Sequence, residues 1–226
     1  MVVRKIKRFL ESIDFGITSR KIMTAILVSL LLVGIMSRAK ASGTPLHNIL
    51  PGTIINFSGR QWIVLEQMQN GETYLILKEP DCQRAFDPDN TQMFNPSDPN
   101  NIAYYLNNDF FNGLSQKDLI ANHSWALESY SYGAGSTFYP NVNCKVGLLN
   151  VGEYWSYSVN YSGNILPATY SYRWWLMWPE EGSASYVMCV KAEDGTVRSS
   201  SANSSTLYVR PTIYLQAGLL LDQNNN

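Results

Sequence analysis

The chain has 226 residues, of which 45% are hydrophobic and 15% charged, and it is long enough to bury a sizeable core. Beyond residue 41 it carries 9 basic and 16 acidic residues, a net charge of about −7. An acidic surface repels nucleic acid and anionic membrane, so the composition argues against both as partners.

The first 41 residues have the pattern of an export signal. Basic residues crowd the start, an uncharged stretch runs over residues 22–36, and Ala39-Lys40-Ala41 supplies a small-x-small site. This order predicts a signal peptide over residues 1–41, cleaved after Ala41. The alternative is an uncleaved anchor, because the basic region is long for a signal peptide. Both alternatives place residues 42–226 outside the cytoplasm, in a secreted or cell-surface protein.

Residues 42–226 predict one α+β domain. A β-meander is expected over residues 54–57, 61–67 and 73–78, with a hairpin signal at Asn70-Gly71. Two short helices follow at residues 101–111 and 116–122, with Ser115 placed to cap the second. Strands at both ends with helices between them favour α+β over a doubly wound sheet. The C-terminal antiparallel strands are expected at residues 174–178, 186–191, 196–198 and 207–215.

Six segments follow one another in an order that resembles a known family. Among them, Trp174-Trp-Leu-Met-Trp-Pro179 and Val209-Arg-Pro211 resemble the central Trp-Trp-Leu-Arg-Ser-Pro and closing Val-Arg-Pro elements of a bacterial extracytoplasmic family, domain of unknown function 6273. Here Met177-Trp178 replaces the family's Arg-Ser, so any ligand contact of that arginine is missing. The six segments are residues 62–65, 104–111, 146–154, 174–179, 187–195 and 209–215.

That family is similar in turn to the formylglycine-generating-enzyme and C-type-lectin-like fold. The resemblance therefore implies an irregular α+β domain with long loops and a late tryptophan-rich strand. It implies no activity, because the family has none assigned and a fold alone does not supply a function.

Trp174 and Trp175 are adjacent in a predicted strand, so their rings should point to opposite faces, and at most one can lie in a given core. We expect Trp174, together with Trp62, to have a structural role. For Trp175 two interpretations stand: it packs under a loop, or it forms an exposed platform for a sugar or apolar ligand.

Tyrosine is frequent among Ser, Gly and Asn over residues 130–172. This composition is typical of adaptable binding loops, and equally of ordinary loops in an irregular fold. The residues predicted to contact a ligand are Trp175, Trp178, Tyr154, Tyr157 and Tyr172.

Arg210 stands beside Pro211 in an otherwise apolar strand. A buried arginine needs a carboxylate or several carbonyl groups. We predict Glu153 as its partner, because both residues belong to matched segments, and the pair would be a structural clamp and not an anion site.

The remaining candidates concern metals and cysteines. Acidic and amide side chains crowd the loop at Asp81, Asp87, Asp89, Asn90 and Asp98. Their oxygens could hold Ca²⁺, although the EF-hand spacing is missing and solvated Asx turns are the alternative. No other cofactor or metal is predicted. An oxidising compartment permits one disulfide, for which Cys144 and Cys189 are favoured, and three buried thiols are the alternative.

These features predict a secreted or surface-displayed binding or structural module that recognises a glycan or a protein by ring stacking and hydrogen bonding. The alternative is an enzyme on a formylglycine-generating-enzyme-like scaffold, acting on an extracellular or cell-wall substrate. Ordered acid–base pairs facing one pocket would favour the enzyme. The sequence itself contains no Gly-x-Ser-x-Gly elbow.

Overall fold

A computed structural model of the chain describes residues 43–131 and 136–222. From Gly43 onward the described residues belong to one compact unit. The predicted leader, residues 1–41, and residues 132–135 of the tyrosine-rich segment lie outside the described residues. Within the described ranges, no helix is both long enough and apolar enough to span a bilayer.

Strands dominate, with two short α-helices among them, which confirms the α+β prediction at that level. The strands are β1 (Thr44–Pro45), β2 (Ile54–Phe57), β3 (Arg60–Gln67), β4 (Thr73–Leu77), β5 (His123–Glu128), β6 (Phe138–Cys144), β7 (Val146–Gly147), β8 (Trp174–Pro179), β9 (Tyr186–Val190), β10 (Val197–Ser201), β11 (Thr212–Leu215) and β12 (Leu220–Leu221). The helices are α1 (Ile102–Tyr105), continued by a π-helical segment (Leu106–Phe110), and α2 (Val151–Tyr157), with 3-10 turns at Leu46–Asn48 and Lys117–Leu119.

The main sheet has the strand order β2-β3-β4-β11-β7 with antiparallel neighbours. Its first three strands are the predicted meander. The central strand β4 is buried at all five positions, as expected for a strand that is covered on both faces. Trp62 on β3 is fully buried, and its indole N–H donates to the Phe57 carbonyl over 3.1 Å. The ring meets Phe110 edge-on at 6.3 Å, so Trp62 fixes the first helix against the sheet.

A second sheet has the order β10-β9-β8. In its register, Trp174 lies opposite Val190 and Trp175 opposite Cys189, and the pairing is irregular between Trp175 and Pro179. These strands agree with three of the four predicted C-terminal strands, whereas the fourth, predicted over residues 207–215, spans only Thr212–Leu215 and belongs to the main sheet. A separate ladder, β5 paired with β6, crosses the segment that composition alone suggests to be loop.

The second helix was predicted at the wrong position. Residues 116–122 contain only the 3-10 turn Lys117–Leu119, and the chain enters β5 at His123. The second α-helix is α2, and a capping box begins it. The Asn150 side chain accepts the Glu153 backbone N–H over 2.8 Å, and the Glu153 carboxylate accepts the Asn150 backbone N–H over 2.9 Å. These two bonds satisfy donors that a helix start leaves open.

Candidate functional site

Helix α2 organises the aromatic residues of the tyrosine-rich segment. Val151 and Tyr154 form its buried stripe, one turn apart. Glu153 and Tyr157 share one flank at a spacing of four residues, while Trp155 lies on the other. The helix therefore separates an acidic flank from an aromatic one.

The aromatic flank carries a cluster of partly exposed rings, called here the aromatic face: Tyr130, Trp155, Tyr161 and Trp178. The Trp155 ring lies 5.3 Å from Tyr130 and 5.6 Å from Tyr161. Tyr161 is 43% exposed. Trp178 joins this side of α2 because the edge of its ring lies beside Gly152, and its indole N–H donates to the Ala126 carbonyl over 3.1 Å. The indole N–H of Trp155 is buried and has no acceptor among the described residues. The face thus offers apolar ring surface, and beneath it lies one buried donor that has no acceptor among the described residues.

The acidic flank pairs two carboxylates with two phenols. Tyr157 donates to Glu66 over 2.7 Å, and Tyr74 donates to Glu153 over 3.2 Å. Burial raises the pKa of Glu153 to about 7. Hydrogen bonds from Asn150 and Tyr74 oppose this shift, and the charge of Glu66 adds to it. Glu153 therefore changes its protonation near neutral pH.

Arg210 does not pair with Glu153, which corrects the sequence-based prediction. Its Nε donates to the Leu77 carbonyl over 2.8 Å and its Nη2 to the Lys78 carbonyl over 3.2 Å. The guanidinium lies 5.2 Å from the centre of the Trp174 ring. The physical reason is that β4 ends at Leu77 and leaves these carbonyls to be satisfied, whereas Glu153 is already bonded to Asn150 and Tyr74.

Two of the predicted ligand contacts are fully buried. Trp175 donates its indole N–H to the Arg84 carbonyl over 3.0 Å and packs edge-on against Phe86 at 5.7 Å. Tyr154 donates to the Gly195 carbonyl over 2.7 Å. Neither ring is accessible, so the prediction that they contact a ligand is corrected. The loop that contains Arg84 and Phe86 covers one face of β8, which is the packing interpretation of Trp175.

The other three predicted contacts, Trp178, Tyr157 and Tyr172, are partly exposed. Tyr157 and Trp178 lie on opposite flanks of α2. Tyr172 lies apart from them, with its ring 5.2 Å from Tyr208 and 6.1 Å from Tyr170. The predicted residues therefore do not form one site. Trp174 is fully buried, against Tyr154 at 5.5 Å.

Cys144 and Cys189 are free thiols, which corrects the predicted disulfide. They lie at the end of β6 and within β9, in different sheets. The Cys144 thiol donates to the Val146 carbonyl over 3.4 Å, and burial raises its pKa to about 12. Cys189 is fully buried opposite Trp175. Both behave as small core residues.

The carboxylates proposed as Ca²⁺ ligands, in the loop from Asp81 to Asp98, instead accept hydrogen bonds from neighbouring protein groups. Asp87 is fully buried and accepts the Asn101 side-chain amide over 2.9 Å and the Asp89 backbone N–H over 2.8 Å. Asp81 accepts from Arg60 and Tyr105. In the ranges that the structure describes, no group of three or more His, Cys, Asp or Glu side chains is arranged to hold a metal ion.

An apolar groove lies beside β1 and β12, between Leu46, Phe57, Leu215 and Leu220. Its volume of about 60 Å³ admits a few water molecules but is well below that of ligand pockets. The groove is therefore too small to be a candidate site for a sugar, which leaves the aromatic face.

Comparison of the chain with protein-family models, curated proteins and solved structures found no match. The residues themselves are therefore what indicates a function. Sequence reasoning did not single out Trp155, Tyr161 or Tyr170. The Asn150-x-x-Glu153 capping box was the available signal for Trp155, since it places a helix start just before that residue.

Proposed function

We propose that the chain is an extracytoplasmic binding module whose aromatic face contacts a glycan. The observation that supports this most is the grouping of four partly exposed rings around one flank of α2, with the Trp155 N–H unused among the described residues. An aromatic ring stacks on the C–H face of a sugar, which requires only that the ring itself be exposed. No covalent step is required.

We also propose that the chain is a member of the family known as domain of unknown function 6273, with a C-type-lectin-like fold and an export leader. The six matched segments support the family. The α+β class and the late tryptophan-rich strand β8 are compatible with that fold. The pattern of residues 1–41 supports export.

A glycan is favoured over a protein because the aromatic face is small. Four rings, one on α2 and three from segments beside it, match one or two sugar units, whereas stable protein interfaces involve about 20–30 residues a side. Recognition of a protein is the alternative, and the experiment below distinguishes it from recognition of a glycan.

The test is a glycan array probed with the full chain, followed by titration of any hit. Tyr161→Ala should weaken binding about tenfold or more, since stacking rings dominate such contacts. The matched control is Tyr186→Ala, because Tyr186 on β9 is 44% exposed against 43% for Tyr161. Equal losses in both variants would place the site elsewhere, and a silent array with binding to a surface protein would favour the protein partner.

One observation favours the enzyme alternative. The pKa of Glu153 near 7 and the neighbouring Glu66 resemble an acid and a base held in different environments. Such a pair would suit hydrolysis of a cell-wall or other extracellular substrate. Release of reducing sugar from cell-wall material, lost in Glu153→Gln, would establish this reading over simple binding.

A further inference from the structure

We propose that Arg210, Trp174 and Tyr170 form a binding site for a carboxylate group. This proposal is independent of the glycan proposal, because none of the three residues belongs to the aromatic face. Arg210 is only 2% exposed, and none of the ion pairs formed within the described ranges includes it. An arginine cannot lose its charge in a protein, and a buried charge without a counter-charge is costly.

The site is defined by donors that remain unused. Nε and Nη2 of Arg210 bond to the carbonyls of Leu77 and Lys78, but Nη1 is buried and has no acceptor in the part of the chain that the structure describes. The indole N–H of Trp174 is likewise buried without an acceptor among the described residues, whereas the Tyr170 hydroxyl lies close to Arg210 and Tyr154 but makes no well-formed hydrogen bond with either. Most buried polar groups are bonded, so two unused donors beside a weakly bonded hydroxyl point to an acceptor that would complete their hydrogen bonds.

These three groups lie in one small cluster. The guanidinium is 5.2 Å from the centre of the Trp174 ring and 5.5 Å from that of Tyr170, and the two rings are 5.7 Å apart. Burial raises the pKa of Tyr170, and the charge of Arg210 opposes that shift, as expected for a phenol close to the guanidinium. Residues from β8, from the segment before it and from the segment before β11 thus meet at one point.

The charge balance favours a carboxylate. One guanidinium supplies one positive charge, and Arg173, which directly precedes Trp174, bonds to the Cys189 sulfur instead. A carboxylate neutralises this single charge and offers two oxygens with about four lone-pair positions to the N–H and O–H donors. A doubly charged phosphate would exceed the single positive charge, and water would leave the charge uncompensated.

Partly exposed tyrosines border the cluster on its outer side. Tyr172 lies 6.1 Å from Tyr170 and 5.2 Å from Tyr208, and the charge of Arg210 also acts on the Tyr172 hydroxyl. Because Arg210 and Trp174 are almost fully buried, a carboxylate would reach the guanidinium only after Tyr170 or Tyr172 changes its rotamer. Their flat rings would contact the apolar part of the molecule that carries it.

The experiment uses the full chain and three salts at equal ionic strength: sodium acetate, sodium chloride and sodium phosphate. Acetate should raise the melting temperature in a saturable manner, beyond the effect of chloride. Arg210→Gln is not the first variant to make, because it also removes the bonds to Leu77 and Lys78. Tyr170→Phe removes one hydroxyl and should weaken acetate binding about tenfold, the loss of one hydrogen bond to a charged group.

Tyr208→Phe is the matched control, since it removes a hydroxyl from another partly buried tyrosine, whose ring packs on Tyr172, whereas the Tyr170 ring packs on the guanidinium. Its acetate affinity should equal that of the unaltered chain. An unchanged affinity in Tyr170→Phe, or the absence of saturation with acetate, overturns the proposal. Saturation with phosphate or chloride alone overturns the assignment to a carboxylate. None of these outcomes depends on the glycan array, so the two proposals fail separately.

Discussion

Trp174 and Trp175 are neighbours in β8 with the same side chain and the same complete burial, but their surroundings differ. Trp175 has a bonded N–H and an apolar neighbour, Phe86. Trp174 lies beside a buried guanidinium, and its N–H finds no acceptor within the described residues. Burial by itself therefore does not distinguish a core from a site. The hydrogen-bond balance of the buried groups does.

The largest expected effect is the loss of stability when the buried Trp175 ring is removed. Trp175→Ala should lower the free energy of unfolding by about 3–5 kcal/mol, because it opens a cavity beneath Phe86 and leaves the Arg84 carbonyl without its donor. Denaturant unfolding followed by circular dichroism measures this. Tyr161→Ala, on the surface, is the control and should cost less than about 1 kcal/mol. A stable Trp175→Ala variant that has lost glycan binding would favour the exposed-platform interpretation. Trp175 would then no longer serve as the core residue against which Trp174 is compared.

A smaller effect should come from Glu153, on the helix whose Tyr154 packs against Trp174. Its pKa is about 7 in the folded chain against 4.5 ordinarily, so the folded state holds the proton more tightly. The resulting stability is fully present below pH 4.5 and is lost as pH rises through the folded pKa near 7. Glu153→Gln should flatten this pH dependence by roughly 2 kcal/mol between pH 5 and pH 7.

Urea unfolding at a series of pH values measures that change. The exposed Glu193, whose side chain is 69% accessible, provides the control, since Glu193→Gln should leave the pH dependence as it is. Parallel curves for Glu153→Gln and the unaltered chain would show that the carboxyl titrates ordinarily. Groups other than Glu153 would then cause the pH dependence of stability.

The smallest expected effect is the difference in stability between two conservative variants, one at each tryptophan. Trp175→Phe and Trp174→Phe remove similar amounts of buried ring, but only the first breaks a hydrogen bond between described residues. Trp175→Phe should therefore destabilise the chain by about 1 kcal/mol more than Trp174→Phe. Both are measured by unfolding in chloride and again in acetate. If acetate closes the gap, the Trp174 N–H binds the carboxylate, whereas equal losses in both salts would mean that the two indoles do not differ.

Local signals predicted part of the fold well. The meander follows from alternating apolar residues in β2 and β3 and from the Asn70-Gly71 turn, where Gly71 has φ of 85°. The first helix follows from its apolar face, and Asn101 caps it by accepting the Ala103 backbone N–H. Each of these signals is contained within a few residues.

Other elements could not be read in the same way. Strand β6 contains Pro140 and is mostly solvent-facing, so its composition resembles a loop, and pairing with β5 is what makes it a strand. Helix α2 spans only seven residues, too short for a clear period. The candidate site was predicted partially: Trp178, Tyr157 and Tyr172 are partly exposed, but they lie in different places and Trp155 and Tyr161 were missed.

The sequence by itself determined the turns, the alternation of the strands and the position of the tryptophan pair, because hydrogen bonding and side-chain direction over a few residues depend on those residues alone. The tertiary structure decided which rings are buried and which groups meet Arg210. Arg210 and its partner Leu77 are 133 residues apart, and Trp175 and its partner Arg84 are 91 apart. Burial and charge pairing depend on such distant segments, which no local pattern specifies.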